Sequence, residues 1–90
     1  MTDAIGGVEI ASVAKGFEAA DAMLKASAVR LLLSRTLCAG KYIALVTGET
    51  AAVSAAVQAG ACKAAHALID SFMIPRLHPE VLPAIEGSSA

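Results

Sequence analysis

Ninety residues with a formal net charge of −1 make one domain's worth of chain, with no basic footprint for nucleic acid and no run of like charges to serve as a polyanion-binding arm. The apolar fraction is 57%, yet aromatics are only 3% and Trp is absent, so Ala, Val, Leu and Ile build a thin core. Such chains complete their burial against other subunits, and an obligate oligomer is the expectation.

The least charged stretch, residues 50–62, is shorter than the ~20 residues a spanning helix needs and is mostly Ala, so no membrane segment is expected. The start MTDAIGG has neither the basic region nor the apolar core of a secretory signal, and two Cys without a disulfide framework read as cytosolic.

In chain order, residues 4–11 form a short apolar run interrupted by Gly6 and Gly7, which fits a strand whose glycines permit close approach of a neighbouring backbone. From Ser12 the period changes. Val13, Phe17, Ala20 and Leu24 share one helical face while Glu18, Asp21 and Lys25 share another, which predicts an amphipathic helix capped by Ser12 with an Asp21–Lys25 i,i+4 pair.

Residues 29–36 (VRLLLSRT) place Val29, Leu31 and Leu33 on one side of a strand and Arg30, Leu32 and Ser34 on the other, which predicts burial of one face and part of the second. Leu37, Cys38, Ala39 and Gly40 make a short turn, and residues 41–47 (KYIALVT) resume extended character, so the two strands form a hairpin. Residues 49–70 return to helical period, with Val53, Val57, Ala61, Ala64 and Leu68 in one stripe of an Ala-rich helix that can lie close to a sheet and to a neighbouring subunit.

Residues 71–74 then read as a short strand stopped by Pro75. Pro79 and Pro83 confine any further helix to about residues 80–82, and residues 87–90 form a small, polar, frayed tail. The order β-α-β-β-α-β predicts an α+β fold of ferredoxin-like type, a four-stranded antiparallel sheet with two main helices on one face. Many functions share that arrangement.

Five segments narrow the field: AIGGVEIAS at 4–12, AADAMLKASAV at 19–29, CAGKYIALVTGE at 38–49, AAVQAGA at 55–61 and IPRLHPEV at 74–81. In order and spacing they resemble the bacterial microcompartment (BMC) shell domain, over residues 4–85, with residues 86–90 as a tail to this single domain. Within that family IASVAKG, DAMLKAS, SRTLCAGK and HPEVLPAIEG are similar to the first half of tandem-domain shell proteins of propanediol-utilisation compartments, which carry an iron–sulfur cluster at the pore. Such a relative is about twice as long as this chain.

The resemblance implies a cyclic tile, a hexamer or a pseudohexameric trimer of tandem chains, built from copies of itself beside other shell proteins and located in a cytoplasmic compartment shell. It implies a pore loop at Leu37, Cys38, Ala39 and Gly40 that admits small metabolites, the small side chains and polar backbone setting its width. It puts Lys25, Arg76 and His78 at the tile edge. No cofactor is needed for that structural role, but Cys38 would be an iron–sulfur ligand: three thiolates on a threefold axis supply three of the four ligands of a 4Fe-4S cluster, whereas six exceed what one cluster accepts.

Other signals are weaker. Cys62 and His66 stand at i,i+4, a spacing that can hold a metal, but two ligands are too few and helix packing is the better reading. No phosphate-cradling motif and no nucleophile–base signature occurs, so no catalytic residue is assigned. A structural shell subunit, a redox-active shell subunit and a small ferredoxin-like enzyme or ligand-sensing module are the three readings, the last needing Asp21, Arg35 and His66 to converge on a pocket.

Overall fold

The computed structural model describes residues 4–75, so Arg76, His78, the expected short helix at 80–82 and the tail lie outside the described residues. The chain runs β1 (Ala4–Ile10), α1 (Val13–Ala26), β2 (Arg30–Leu37), a 3-10 turn (Cys38–Gly40), β3 (Lys41–Gly48), α2 (Thr50–Ala64), a second 3-10 turn (Ala65–Ala67) and β4 (Leu68–Ile74). The strands form one antiparallel sheet in the order β2-β3-β1-β4, the ferredoxin-like order expected.

Ser12 caps α1, its hydroxyl accepting from the Lys15 amide at 3.2 Å. The face that α1 buries is Gly16, Ala19, Ala20 and Met23; of the stripe that periodicity suggests, Ala20 is buried and Val13 packs against the core, but Phe17 and Leu24 do not turn inward. The reason is close packing of helix on helix: a methyl group at Gly60 of α2 would stand 2.6 Å from Met23 Cγ, so the facing α1 positions must be small or adaptable. Phe17 is turned outward, 60% exposed, touching Tyr42 edge-to-face with ring centroids 5.1 Å apart. Leu24 is exposed as well.

Gly6 and Gly7 look to opposite faces of the sheet. A methyl group at Gly6 would stand 2.5 Å from Val57 Cγ2 and 2.6 Å from Val53 Cγ1, so its absence lets α2 settle on β1. At Gly7 the space is taken by Leu45 and Phe72, which belong to the helix-free face. The close approach predicted for these glycines is therefore made mainly by side chains.

The core lies between the sheet and the helices and includes Val8, Ile10, Met23, Tyr42, Val46 and Val53, all essentially inaccessible. Each fully buried Val or Ile contributes about 1.5–3 kcal/mol relative to exposure. Buried and part-buried polar groups are tied off locally. Thr47 Oγ1 donates to Ala4 O at 2.7 Å, Ser27 Oγ donates to Ala52 O at 2.6 Å and joins the end of α1 to the start of α2, and the Tyr42 and Ser34 hydroxyls pair.

Two expectations are corrected. First, α2 stops at Ala64 and β4 begins at Leu68, although residues 65–70 continue the helical period. Pairing with β1 overrides propensity there: β4 needs Leu68 opposite Ile10 and Asp70 opposite Glu9, and the chain turns at Ala65 with φ 52°. A positive φ at a non-glycine residue costs roughly 1–2 kcal/mol.

Second, β2 is an edge strand with a bulge, not a strand buried on a face of Val29, Leu31 and Leu33. The register slips between Leu31 and Leu33, so Leu31 pairs with Val46 on the helix side while Leu33 pairs with Leu45 on the open side.

Candidate functional site

The β2–β3 hairpin ends in Cys38–Gly40, which holds two successive left-handed residues, Ala39 (φ 65°, ψ 30°) and Gly40 (φ 75°). Gly40 meets that demand without strain. Among the described residues nothing lies within 4 Å of where its Cβ would be, so the tip stands clear of them. Leu37, Cys38, Ala39 and Gly40 are all exposed, and Cys38 is a free thiol.

Lys25 occupies the last turn of α1, where its ammonium complements the helix C-terminus and lies 3.0 Å from Asp21 Oδ2. Both side chains are mostly exposed, so the pair contributes little stability. After α1, β2 starts at Arg30 and its eight residues lead to the hairpin tip, a span of about 26 Å. The tip and Lys25 thus sit at opposite ends of a domain measuring 34 × 26 × 17 Å.

Between those ends run the two outer strands. β2 shows Leu31 and Leu37, and β4 shows Ile69, Phe72, Met73 and Ile74, each more than a third exposed. Apart from Leu37, placed in the pore loop, sequence reasoning gave these residues no functional role. The signal was present in LIDSFMI, an apolar strand too exposed-looking for an edge unless something covers it.

Other candidates do not converge. Cys62 lies in α2 and His66 in the turn beyond its end, so they do not share one regular helix, and both are exposed. Among the described residues no three His, Cys, Asp or Glu side chains are grouped to hold a metal ion. Asp21, Arg35 and His66 lie exposed on α1, β2 and the second 3-10 turn, and no ligand-sized pocket lies among the described residues. Among them, too, no helix is long and apolar enough to cross a membrane.

The model of the BMC domain family matches residues 4–77. The chain belongs to the BMC-domain family. It is 47% identical over 87 residues to the bacterial microcompartment shell protein PduT of Citrobacter freundii, covering 97% of this chain and 47% of that protein. The carboxysome shell protein CsoS1 of Prochlorococcus marinus is 45% identical over 89 residues, covering 94% of this chain and 85% of that one. A crystal structure of a microcompartment protein from Desulfitobacterium hafniense superposes with a TM-score of 0.94 at 49% identity, over all of this chain and 50% of the other.

This BMC domain spans about half the length of PduT and of the Desulfitobacterium hafniense chain, and most of the length of CsoS1. It is a bacterial microcompartment shell-protein domain, and its named relatives are components of microcompartment and carboxysome shells.

Proposed function

We propose that this BMC domain is one sector of a cyclic shell tile, with Cys38, Ala39 and Gly40 around the central axis, Leu37 behind them, and Lys25 with Arg76 and His78 at the outer rim. The observation that carries this reading is the placement of the hairpin tip and Lys25 at opposite ends of the domain, with two apolar outer strands between them. Two different sticky edges on one chain favour a heterologous contact, and a heterologous contact closes into a ring when the rotation permits. The partners are copies of this domain and other shell proteins. The exposed tip with its small side chains suits passage of small metabolites along the axis. The likeness to PduT favours a propanediol-utilisation compartment as the setting.

Negative-stain images of the purified protein test this: rings with a central stain-filled pore are expected, and a uniform field of monomers would remove the reading.

A redox role at the same axis is favoured by one observation, an exposed free thiol at the very tip of the hairpin. One thiol cannot hold a cluster, but symmetry brings copies of Cys38 together; thiolate is the donor iron–sulfur clusters take, and a cluster on the axis of a six-copy ring would use only part of its thiolates, three alternate ones supplying three of the four ligands. A cluster bound there would supply one-electron transfer. Cys38 would hold it, while the backbone of Ala39 and Gly40 shapes the approach. Anaerobic reconstitution with iron and sulfide should give a visible charge-transfer band that Cys38→Ala abolishes. An unchanged band in Cys38→Ala, or none in the wild type, ends the redox role and leaves the tile intact.

A further inference from the structure

Three of the chain's seven Lys and Arg residues, Arg30, Arg35 and Lys41, fall on the β2–β3 hairpin, and residues 30–48 contain no Asp or Glu. In a chain of net charge −1 the hairpin is thus a cationic segment. Its cations are also sorted by face. Tyr42 turns to the helix side, where its ring lies against Gly16 of α1, so its neighbour Lys41 belongs to the helix-free face. The register puts Arg30 opposite Thr47 and Arg35 opposite Ile43, on that same face.

Lys41 is the cation beside the tip. It follows Gly40 directly, stands opposite Leu37 where the turn closes, and is exposed. Lys15 and Lys25 have carboxylate oxygens at 3.5 and 3.0 Å. Among the described residues Lys41 has no such partner. Arg35 interacts elsewhere in its own chain and is not counted on. The acids of the same face, Glu9 and Asp70, lie on β1 and β4, one and two strands beyond β3 and so displaced sideways from the tip. On the helix side the same end of the sheet carries the neutral Tyr42–Ser34 hydroxyl pair. The two faces at the tip therefore differ in charge.

We infer that the helix-free mouth of the pore draws in small oxyanions, carboxylates or phosphates, and that Lys41 sets this preference. This rests on the ring reading above and names the class of solute its axis favours. One exposed ammonium on a monomer is solvated and selects nothing. Cyclic symmetry changes that, because every copy brings its own Lys41 to the same mouth. Like charges gathered round an opening repel one another, and an anion entering between them relieves the repulsion. With a screening length of about 8 Å at physiological ionic strength, charges grouped on that scale act on a solute together.

The test is phosphorus NMR of inorganic phosphate in the presence of intact rings at low ionic strength. Wild-type rings should broaden the phosphate line saturably, and added salt should reverse the effect. Lys41→Gln should weaken this binding by about tenfold or more, and Lys41→Glu should abolish it. Native mass spectrometry should show the same ring for each variant, and circular dichroism the same fold. Lys63→Gln, which removes an exposed cation from the last turn of α2, should leave the binding unchanged. Trimethyl phosphate, which carries no charge, should show no saturable broadening. Wild-type rings that bind no phosphate, that bind trimethyl phosphate as well, or that lose as much binding with Lys63→Gln as with Lys41→Gln would overturn this preference while leaving the ring standing. Loss of the ring in both Lys41 variants would make Lys41 a contact residue and overturn it too. Absence of rings in the wild type would instead overturn the ring reading itself.

Discussion

The helix side of the sheet and its two outer edges are built from the same kinds of residue but reach opposite ends. On the helix side Val8, Ala44, Val46, Val53, Ala56 and Ala64 are sealed, and glycines at 6 and 60 bring the layers together. At the edges Leu31, Phe72, Met73 and Ile74 stay open to solvent. A thin core of small side chains can finish one interface within the chain, and the remaining apolar surface is left for contacts between chains. The contrast teaches that stability and assembly are carried by separate sets of residues in this domain, and each set can be broken without the other.

The largest effect is expected on the sealed side. Gly6→Val places methyl groups where Val53 and Val57 already sit, so overpacking should cost about 3 kcal/mol. In a domain of this size that lowers the melting midpoint by roughly 10–20 °C in a thermal scan. A variant that melts with the wild type would mean that α2 does not pack on β1 as described. At an open edge the pattern reverses. Phe72→Asp should leave a folded chain, destabilised by about 1–2 kcal/mol because the ring that covers Gly7 is lost, while abolishing ring formation in gel filtration. A folded variant that still forms rings would show that β4 is not an assembly edge.

The smallest effect on the single domain belongs to Lys25. Its exposed pair with Asp21 is worth at most about 0.5 kcal/mol, so Lys25→Ala should leave both fold and ring unchanged. Contacts between tiles are another matter. Across a twofold axis two lysines meet, stack their alkyl stems and turn their charges to nearby acceptors, so each contact is weak and its effect comes from repetition. Lys25→Ala should therefore lose extended sheets in electron micrographs, and Arg76→Ala should lose them to a lesser degree. Sheets formed as readily as by wild type would remove Lys25 from the rim.

Much of this fold could be read from the sequence, because strand and helix periods were distinct where local and tertiary preferences agreed. Ser12, the Asp21–Lys25 pair and the hairpin across Leu37, Cys38, Ala39 and Gly40 are local features, and they stand where the pattern put them. The failures share a cause. Ala64 is followed by residues of good helical period, yet pairing of Leu68–Ile74 with β1 ends the helix, a long-range demand with no local signature. The bulge at Leu32 likewise reverses the faces of Leu31 and Leu33, which strict alternation cannot foresee. Phe17 and Leu24 were assigned inward because they share a helical face with Val13 and Ala20, whereas close packing turns a neighbouring face inward, Gly16 against the Tyr42 ring and Ala19 and Met23 against Gly60 of α2. The exposed tip of the candidate site was legible from turn chemistry. The two edges were not, because an apolar strand reads the same whether its partner is in the same chain or the next.

The central claim is that separate, unlike edges close this domain into a ring, and copy number is its most direct measure. Native mass spectrometry of the purified chain at micromolar concentration should give one dominant closed species of six copies, without a ladder of larger open forms. A monomer under those conditions, or a series of masses rising one subunit at a time, would contradict the account.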